Sequence, residues 1–421
     1  MKQLILYSMV LICLPLSVFG QRINLDDCQT KARANYPLVK QYSLIEQTAQ
    51  YNISNANKGY LPQLTLSAKG TYQSQVTKLP ITIPNMTIPE LSKDQYQAVV
   101  EANQVIWDGG NISAQKKITN ANTEVEKKKL EVDLYTLNDR VNQLYFGILL
   151  LNEQLRQNDI LQNELQTNYN RIASYKQNGI ANQSDLDALK VEQINAQQRK
   201  TELESTRKSY FIMLSALTGT SIDEKSELSK PEMNLTSLTE TTNHRPELGL
   251  FAAQNKLFES QKELLNAGNR PKVSAFIQGG YGRPGMNMLT NAFSEFYIGG
   301  IRLSWNLSGF YTQKNNVNKL ETSKKSNDIQ KETFLFNADL KTKQQQTEIE
   351  KLQSTLSSDD EIIRLRENIK KSASVKVDNG TLTVTDLIRE INAEDQAKQL
   401  KSLHEIQLIM SVYQLKNNIN N

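Results

Sequence analysis

The sequence predicts an α+β chain, mainly α, in which long coiled-coil hairpins alternate with short pairs of strands. Three observations predict it. The chain is duplicated over nearly its whole length, each copy has two stretches of alternating apolar and polar residues, and each then shifts to a helical period. The duplication shows at an offset of 209, where Asn57, Gly59, Pro62, Gly70 and Tyr72 recur as Asn266, Gly268, Pro271, Gly279 and Tyr281. Further along, Asn178-Gly179 and Asp185-Leu186 recur as Asn379-Gly380 and Asp386-Leu387 at an offset of 201. The organisation expected is therefore a signal peptide over 1–20, a first repeat over 21–217, a low-periodicity linker over 218–243 and a second repeat over 244–421.

The first element is the leader. Lys2, the apolar run Leu4 to Leu16 and the small-residue site at Val18-Phe19-Gly20 have the order of a secretory signal. With Cys13 in that leader, Cys28 is the one thiol left, so an intrachain disulfide is excluded; its default role is a small apolar residue on a helix face.

In each copy a helix-like segment of about 25 residues ends in a Gly-x-x-Pro break, Gly59 to Pro62 and Gly268 to Pro271. A strand follows. Leu64, Leu66 and Ala68 alternate with Thr65, Ser67 and Lys69, and Val273, Ala275, Ile277 and Tyr281 stand opposite Ser274 and Gln278. Second strands are expected over Gln97 to Trp107, where Glu101 and Asn103 interrupt the apolar side, and over Tyr297 to Leu307. Between the strands lie a long loop, Gln73 to Gln95 with Pro80, Pro84 and Pro89, and a shorter one, Arg283 to Ser294. The Gly279-Gly280-Tyr281-Gly282 run sits inside a strand without a following helix or Lys-Ser/Thr, which makes it a concession to close packing, not a phosphate loop.

The long helices come next. Leu130, Leu134, Leu137, Val141, Leu144, Ile148, Leu151 and Leu155 keep spacings of four and three, the seam of a left-handed coiled coil, with Asn158 and Gln162 as interruptions. One helix is expected from about Ile112 to Gln177, ended at Asn178-Gly179, and a returning helix capped by Ser184 or Asp185. The second copy repeats this from about Thr312 to Asp378, then from Asp386, taken as its N-cap, to about Lys416.

Composition narrows the function. A mean hydropathy of −0.53 excludes a polytopic helical membrane protein. Forty-nine basic against 45 acidic residues, well interspersed, give no case for nucleic acid. His244 and His404 are isolated from each other and from Cys28, so no metal spacing results, and no nucleophile–base pairing or cofactor fingerprint is present. Neither an enzyme nor a cofactor is expected. Four apolar-faced strands cannot close a transmembrane barrel, and the eight supplied by two chains would leave a filled interior. Three chains would supply twelve strands around a lumen, with Lys69, Thr65, Ser274 and Gln278 facing water inside it.

The signal peptide, the duplicated helix–strand–strand–hairpin order, the segment Gln104-Val105-Ile106-Trp107-Asp108-Gly109-Gly110 and the Gly-x5-Asp-Leu hairpin turns resemble the TolC family of outer-membrane efflux proteins. That resemblance implies an α+β membrane protein acting as a homotrimeric exit duct of a tripartite efflux or type I secretion system. Its parts would be a 12-stranded outer-membrane β-barrel in lipid, a periplasmic helical barrel and an equatorial region near 218–243. The implied partners are a periplasmic adaptor, or membrane fusion protein, and an inner-membrane transporter of the RND or ABC type. Adaptor contact falls by resemblance on the hairpin tips, Asn178, Gly179 and Ile180 with Asn379, Gly380 and Thr381. The family's acidic Asp-x-x-Asp entrance constriction maps onto Asp386, but Arg389 stands where the second Asp is expected, so the two could pair around the ring, within or between chains. Trp107 and Trp305 close their strands, where an interfacial aromatic belt is expected. The lipid-anchor cysteine of some members is absent. The alternative is a soluble periplasmic coiled-coil adaptor or structural protein; adaptors usually have one hairpin, whereas this chain has two.

Overall fold

The computed structural model describes residues 22–77, 90–233 and 243–420. The expected signal peptide and the three loop prolines lie outside the described residues. Eight α-helices are found among the described residues: α1 (Leu25–Asn35), α2 (Gln41–Asn57), α3 (Asn111–Tyr135), α4 (Leu137–Gln177), α5 (Gln183–Thr218), α6 (Pro246–Gly268), α7 (Gly309–Asp378) and α8 (Val384–Ile419). Four strands, β1 (Gln63–Tyr72), β2 (Asp94–Trp107), β3 (Lys272–Arg283) and β4 (Ser294–Ser304), form one antiparallel sheet in the order β1-β2-β3-β4.

The chain divides into two compact units, and each draws on both repeats. One, Lys40–Val132 with Pro246–Phe336, holds the sheet, α2, α6 and most of α3. Its helices follow the same order as its strands. Lys127 pairs with Glu46 at 2.6 Å between α3 and α2, Lys117 with Glu263 at 2.6 Å between α3 and α6, and Lys262 with Glu321 at 2.8 Å between α6 and α7. These exposed pairs align the helices more than they stabilise them. At the α6–α7 contact a buried amide adds direction: Asn327 Nδ2 donates to Phe251 O and Asn255 Oδ1.

The other unit holds α1, α4, α5, α8, the segment after α5 and α7 from Asn337 onward. Every seam residue of this unit from Leu134 to Leu155 is buried, as the seven-residue period requires. Asn158 is fully buried in that seam, where its Oδ1 accepts from Gln162 Nε2 at 2.8 Å. Cys28 packs with Leu25, Ala32, Val141 and Tyr145, and burial pushes its thiol up to about 11, which suits a packing residue. The segment after α5 has more structure than its irregular sequence implies. Ile23 bridges to Leu228, and the buried Tyr145 hydroxyl reaches the carbonyls of Ile23 and Ser229 at 2.7 Å.

Five sequence expectations need correction. The helix expected over about 112–177 is interrupted at Thr136, whose hydroxyl donates to Asp133 O, three residues back, and tightens that turn. β4 ends at Ser304, so Trp305 and Leu307 lie beyond it: its partner β3 starts at Lys272, directly after Pro271, which has no N–H for a ladder. The cap of α5 is Asn182, with Asp185 as the reciprocal acceptor of a capping box. Likewise Thr383, not Asp386, caps α8. Finally, Glu101 and Asn103 do not interrupt the apolar face. The register sets Ala98, Val100 and Ala102 beside Ala68, Leu66 and Leu64, and puts Glu101 and Asn103 on the opposite face beside Thr65 and Gln63.

Candidate functional site: an apolar sheet face and two hairpin tips

The sheet has two unlike faces. Cross-strand neighbours share a face, so the register collects Leu64, Leu66, Val100, Ile277, Tyr297 and Ile301 on one side. These side chains are open to solvent in the single chain: Leu66 is 77% exposed, Tyr297 83% and Ile301 74%. An apolar surface on that scale needs a cover. Both outer edges, on β1 and β4, lack a strand partner among the described residues. The other face is mainly polar, with Thr65, Lys69, Ser274 and Gln278 on it beside Val99, Phe276, Phe296 and Ile298.

Aromatic residues mark both ends of the apolar face. Trp107 ends β2 after a register shift at Val105 and is 45% exposed. Trp305 follows β4, donates its indole N–H to Asn269 O at 2.9 Å and packs edge-on against Phe310. At the opposite ends of the strands stand Tyr72, Tyr96 and Tyr281, with Phe293 stacked between the last two and Arg283 over the Phe293 ring. Sequence reading missed this second group; its signal was a tyrosine at the far end of three strands. It also missed the part played by Asp108. This buried carboxylate accepts from Gly110 N at 2.9 Å and Ile112 N at 2.5 Å, capping α3 directly after β2. Gly109 has φ +72 and sits where a Cβ would lie 2.8 Å from Arg270 Cβ, so the Asp108-Gly109-Gly110 run makes a tight strand-to-helix turn. At Gly280 a Cβ would meet Phe296 at 2.4 Å, the close packing expected of that glycine run.

The two hairpin tips have one geometry. Gly179 and Gly380 have φ +75 and +68, and the next residue reaches back five positions, Ile180 N to Tyr175 O and Thr381 N to Lys376 O, both at 2.9 Å. Asn178 and Asn379 each donate Nδ2 to the carbonyl four residues earlier. The tips also share a core. Leu165, Ile172, Leu186, Leu189, Leu387 and Ile391 pack in one cluster drawn from α4, α5 and α8, to which α7 adds Ala373 and Val377. Tyr175 Oη donates to Asp378 at 2.9 Å, and Arg171 pairs with Asp378 at 3.2 Å, which ties one tip to the other.

Asp386 lies on the first turn of α8 and Arg389 one turn further on, 3.3 Å away, so within the single chain the two are paired. The Thr383 hydroxyl donates to Asp386 at 2.7 Å and, together with the Arg389 guanidinium, holds this carboxyl below the usual aspartate range. Arg389 also approaches Glu390, and with Lys376, Leu365 and Ile369 these residues line a groove between α7 and α8. Two turns further along α8, Glu394 is buried between Lys370 of α7, at 2.6 Å, and Lys398. Burial pushes its carboxyl up, but the two ammonium groups outweigh it and hold it below the usual glutamate range. No cluster of His, Cys, Asp and Glu suited to a metal occurs among the described residues; His404 Nδ1 lies 2.6 Å from Asp359.

Residues 29–220 match the sequence profile of the family described as "Outer membrane efflux protein". No curated protein sequence matches the chain. Solved structures match over almost its whole length. The outer membrane protein VceC of Vibrio cholerae is 14% identical with a TM-score of 0.65, each chain being covered to 94%. CusC, described in connection with transmembrane channel formation, is 12% identical with a TM-score of 0.67, covering 95% of this chain and 93% of its own. The Neisseria gonorrhoeae MtrE outer membrane channel, in its open state, is 12% identical with a TM-score of 0.62, covering 94% of this chain and 89% of its own. At such identities these likenesses speak for the fold, mainly helical with four antiparallel strands. The chain thus carries the outer membrane efflux protein profile over its first repeat and has the fold of solved outer-membrane channels over nearly its whole length.

Proposed function

We propose that three copies join β1 of one to β4 of the next, closing a twelve-stranded barrel in the outer membrane that serves as the exit duct of a tripartite efflux or type I secretion system. The observation behind this reading is the sheet itself: a broad apolar face, exposed in the single chain and bounded by aromatics, on a sheet with two open edges. In hydrocarbon an unpaired edge costs several kcal/mol per orphaned group, so such a sheet needs neighbours that complete the ladder. Two copies would leave no lumen; three leave one. The leader fits export to this compartment, and the helices would surround the continuation of the duct in the periplasm. A soluble adaptor has no use for an apolar sheet face of this kind.

In this reading the tips at Asn178–Ile180 and Asn379–Thr381 meet a periplasmic adaptor, Asp386 and Arg389 line the entrance, and an inner-membrane transporter of the RND or ABC type supplies energy. The two tips share one backbone geometry in one unit, which suits a repeated docking element. Membrane fractionation followed by electrophoresis with and without heating tests the reading: recovery in the outer membrane as a heat-sensitive trimer is expected, and a soluble monomer would overturn it. Gly179→Cys and Gly380→Cys should crosslink to an adaptor; capture only from barrel-loop positions would remove the tips from that role.

A further inference from the structure

The polar face of the sheet has an unbalanced charge. Its charged residues are Lys69 on β1, Glu101 on β2, Lys272 on β3 and Arg302 on β4, three bases against one acid. Arg302 reaches Glu101 at 3.4 Å while its guanidinium lies 4.5 Å from the Phe276 ring, so this pair is locally neutral. Lys69 and Lys272 are exposed, with Gln97 and Ser304 as cross-strand neighbours and no carboxylate at ion-pair distance among the described residues. The remaining strand acids, Asp94 and Glu295, sit on the apolar face at its outer rim, beside Tyr72 and Tyr281. Each chain therefore turns two surplus positive charges to one face.

Rings of like charge along a pore wall favour the opposite ion, and lysine and arginine rings mark anion pores. We propose that the closed barrel has a net positive lumen and passes anions in preference to cations, the charge class of permeant it admits most readily being anionic. The inference rests on the three-copy channel reading above. It also explains why the polar face has two lysines without an ion-pair partner among the described residues, where uncharged residues would wet the lumen equally well.

Reversal potentials in planar bilayers under a KCl gradient test it, using the full-length protein and its Lys69→Gln, Lys272→Gln double variant. The wild-type potential should lie on the chloride side. It should shift towards potassium in the double variant and stay in place in the Lys69→Arg, Lys272→Arg variant. The preference should weaken near 1 M salt, where the screening length is about 3 Å, relative to 0.1 M, where it is about 10 Å. Recovery of each variant as a heat-sensitive trimer checks folding. A wild-type channel that prefers potassium, or a chloride preference that both variants leave unchanged, would overturn the inference alone. A wild-type protein that forms no channel overturns the reading beneath it instead.

Discussion

The two hairpin tips share a backbone and differ in chemistry within one helical turn. Each ends its first helix in a left-handed glycine, and each starts its second with a polar cap that accepts from an aspartate N–H, Asn182 with Asp185 and Thr383 with Asp386. Beyond that point the repeats diverge. Ala188, Leu189 and Gln193 in the first correspond to Arg389, Glu390 and Glu394 in the second. The first tip thus buries Leu189 in the shared core, while the second surrounds α8 with ion pairs to α7. Duplication fixed the turn, because only glycine tolerates that φ cheaply, and left the faces of the following helix free to separate into an apolar and a charged edge.

The largest effect expected from separating the two is in the shared core. Leu387→Ala should cost about 3 kcal/mol and Leu186→Ala somewhat less, both by opening a cavity, read as a drop in the denaturation midpoint followed by circular dichroism. A loss at one site and none at the other would show that the tips do not share a core. Next comes Glu394→Gln, which takes the shared carboxylate from Lys370 and Lys398 and leaves them Glu164 and Glu367 alone; a loss of about 2 kcal/mol is expected, against little for Gln193→Ala at the matching position. Because Glu394 titrates below its unfolded value, its contribution is complete above the ordinary glutamate range and fades as pH falls through the depressed value. The stability difference between wild type and Glu394→Gln should therefore narrow from pH 7 towards pH 3. A constant difference would contradict the ion-pair account.

Smaller and equal at the two tips should be Gly179→Ala and Gly380→Ala, about 1 kcal/mol each, since both glycines have positive φ and open space around them. Unequal costs would mean that one turn is held by more than its backbone. Least of all in stability is Asp386→Ala with Arg389→Ala, a pair at the surface whose removal, with the Thr383 hydroxyl's acceptor, should lower the denaturation midpoint only slightly. Its signature is functional: raised single-channel conductance, whereas an unchanged conductance removes both residues from the entrance.

Much of this was legible in the sequence wherever a period was long enough. The seam from Leu130 to Leu155 needs no tertiary information, because eight residues in one register specify both helix and face. The Asn178-Gly179 and Asn379-Gly380 turns were legible from their repetition. β2 was harder. Glu101 and Asn103 look like interruptions until cross-strand register decides which parity faces the apolar side, and a single strand cannot supply that decision. The caps lie two or three residues ahead of the positions the sequence favours because Asn182, Ser184 and Asp185 are all good capping residues, and only geometry separates the cap from its reciprocal partner. The Glu394 cluster was not legible at all: Lys370 and Lys398 meet it from two helices of one hairpin, and nothing local marks them as partners.

The central claim is that β1 of one copy pairs with β4 of the next. Cysteine crosslinking tests it most directly, with Ser67→Cys on β1 combined in turn with Ile298→Cys, Gly300→Cys or Arg302→Cys on β4, all on the polar face. Cys28 is buried and should not compete. At one of the three registers oxidation should convert the protein in native outer membranes into a covalent trimer that survives boiling and reverts to monomer on reduction. Monomer alone at every register, from a protein that is present in the membrane, would contradict the account.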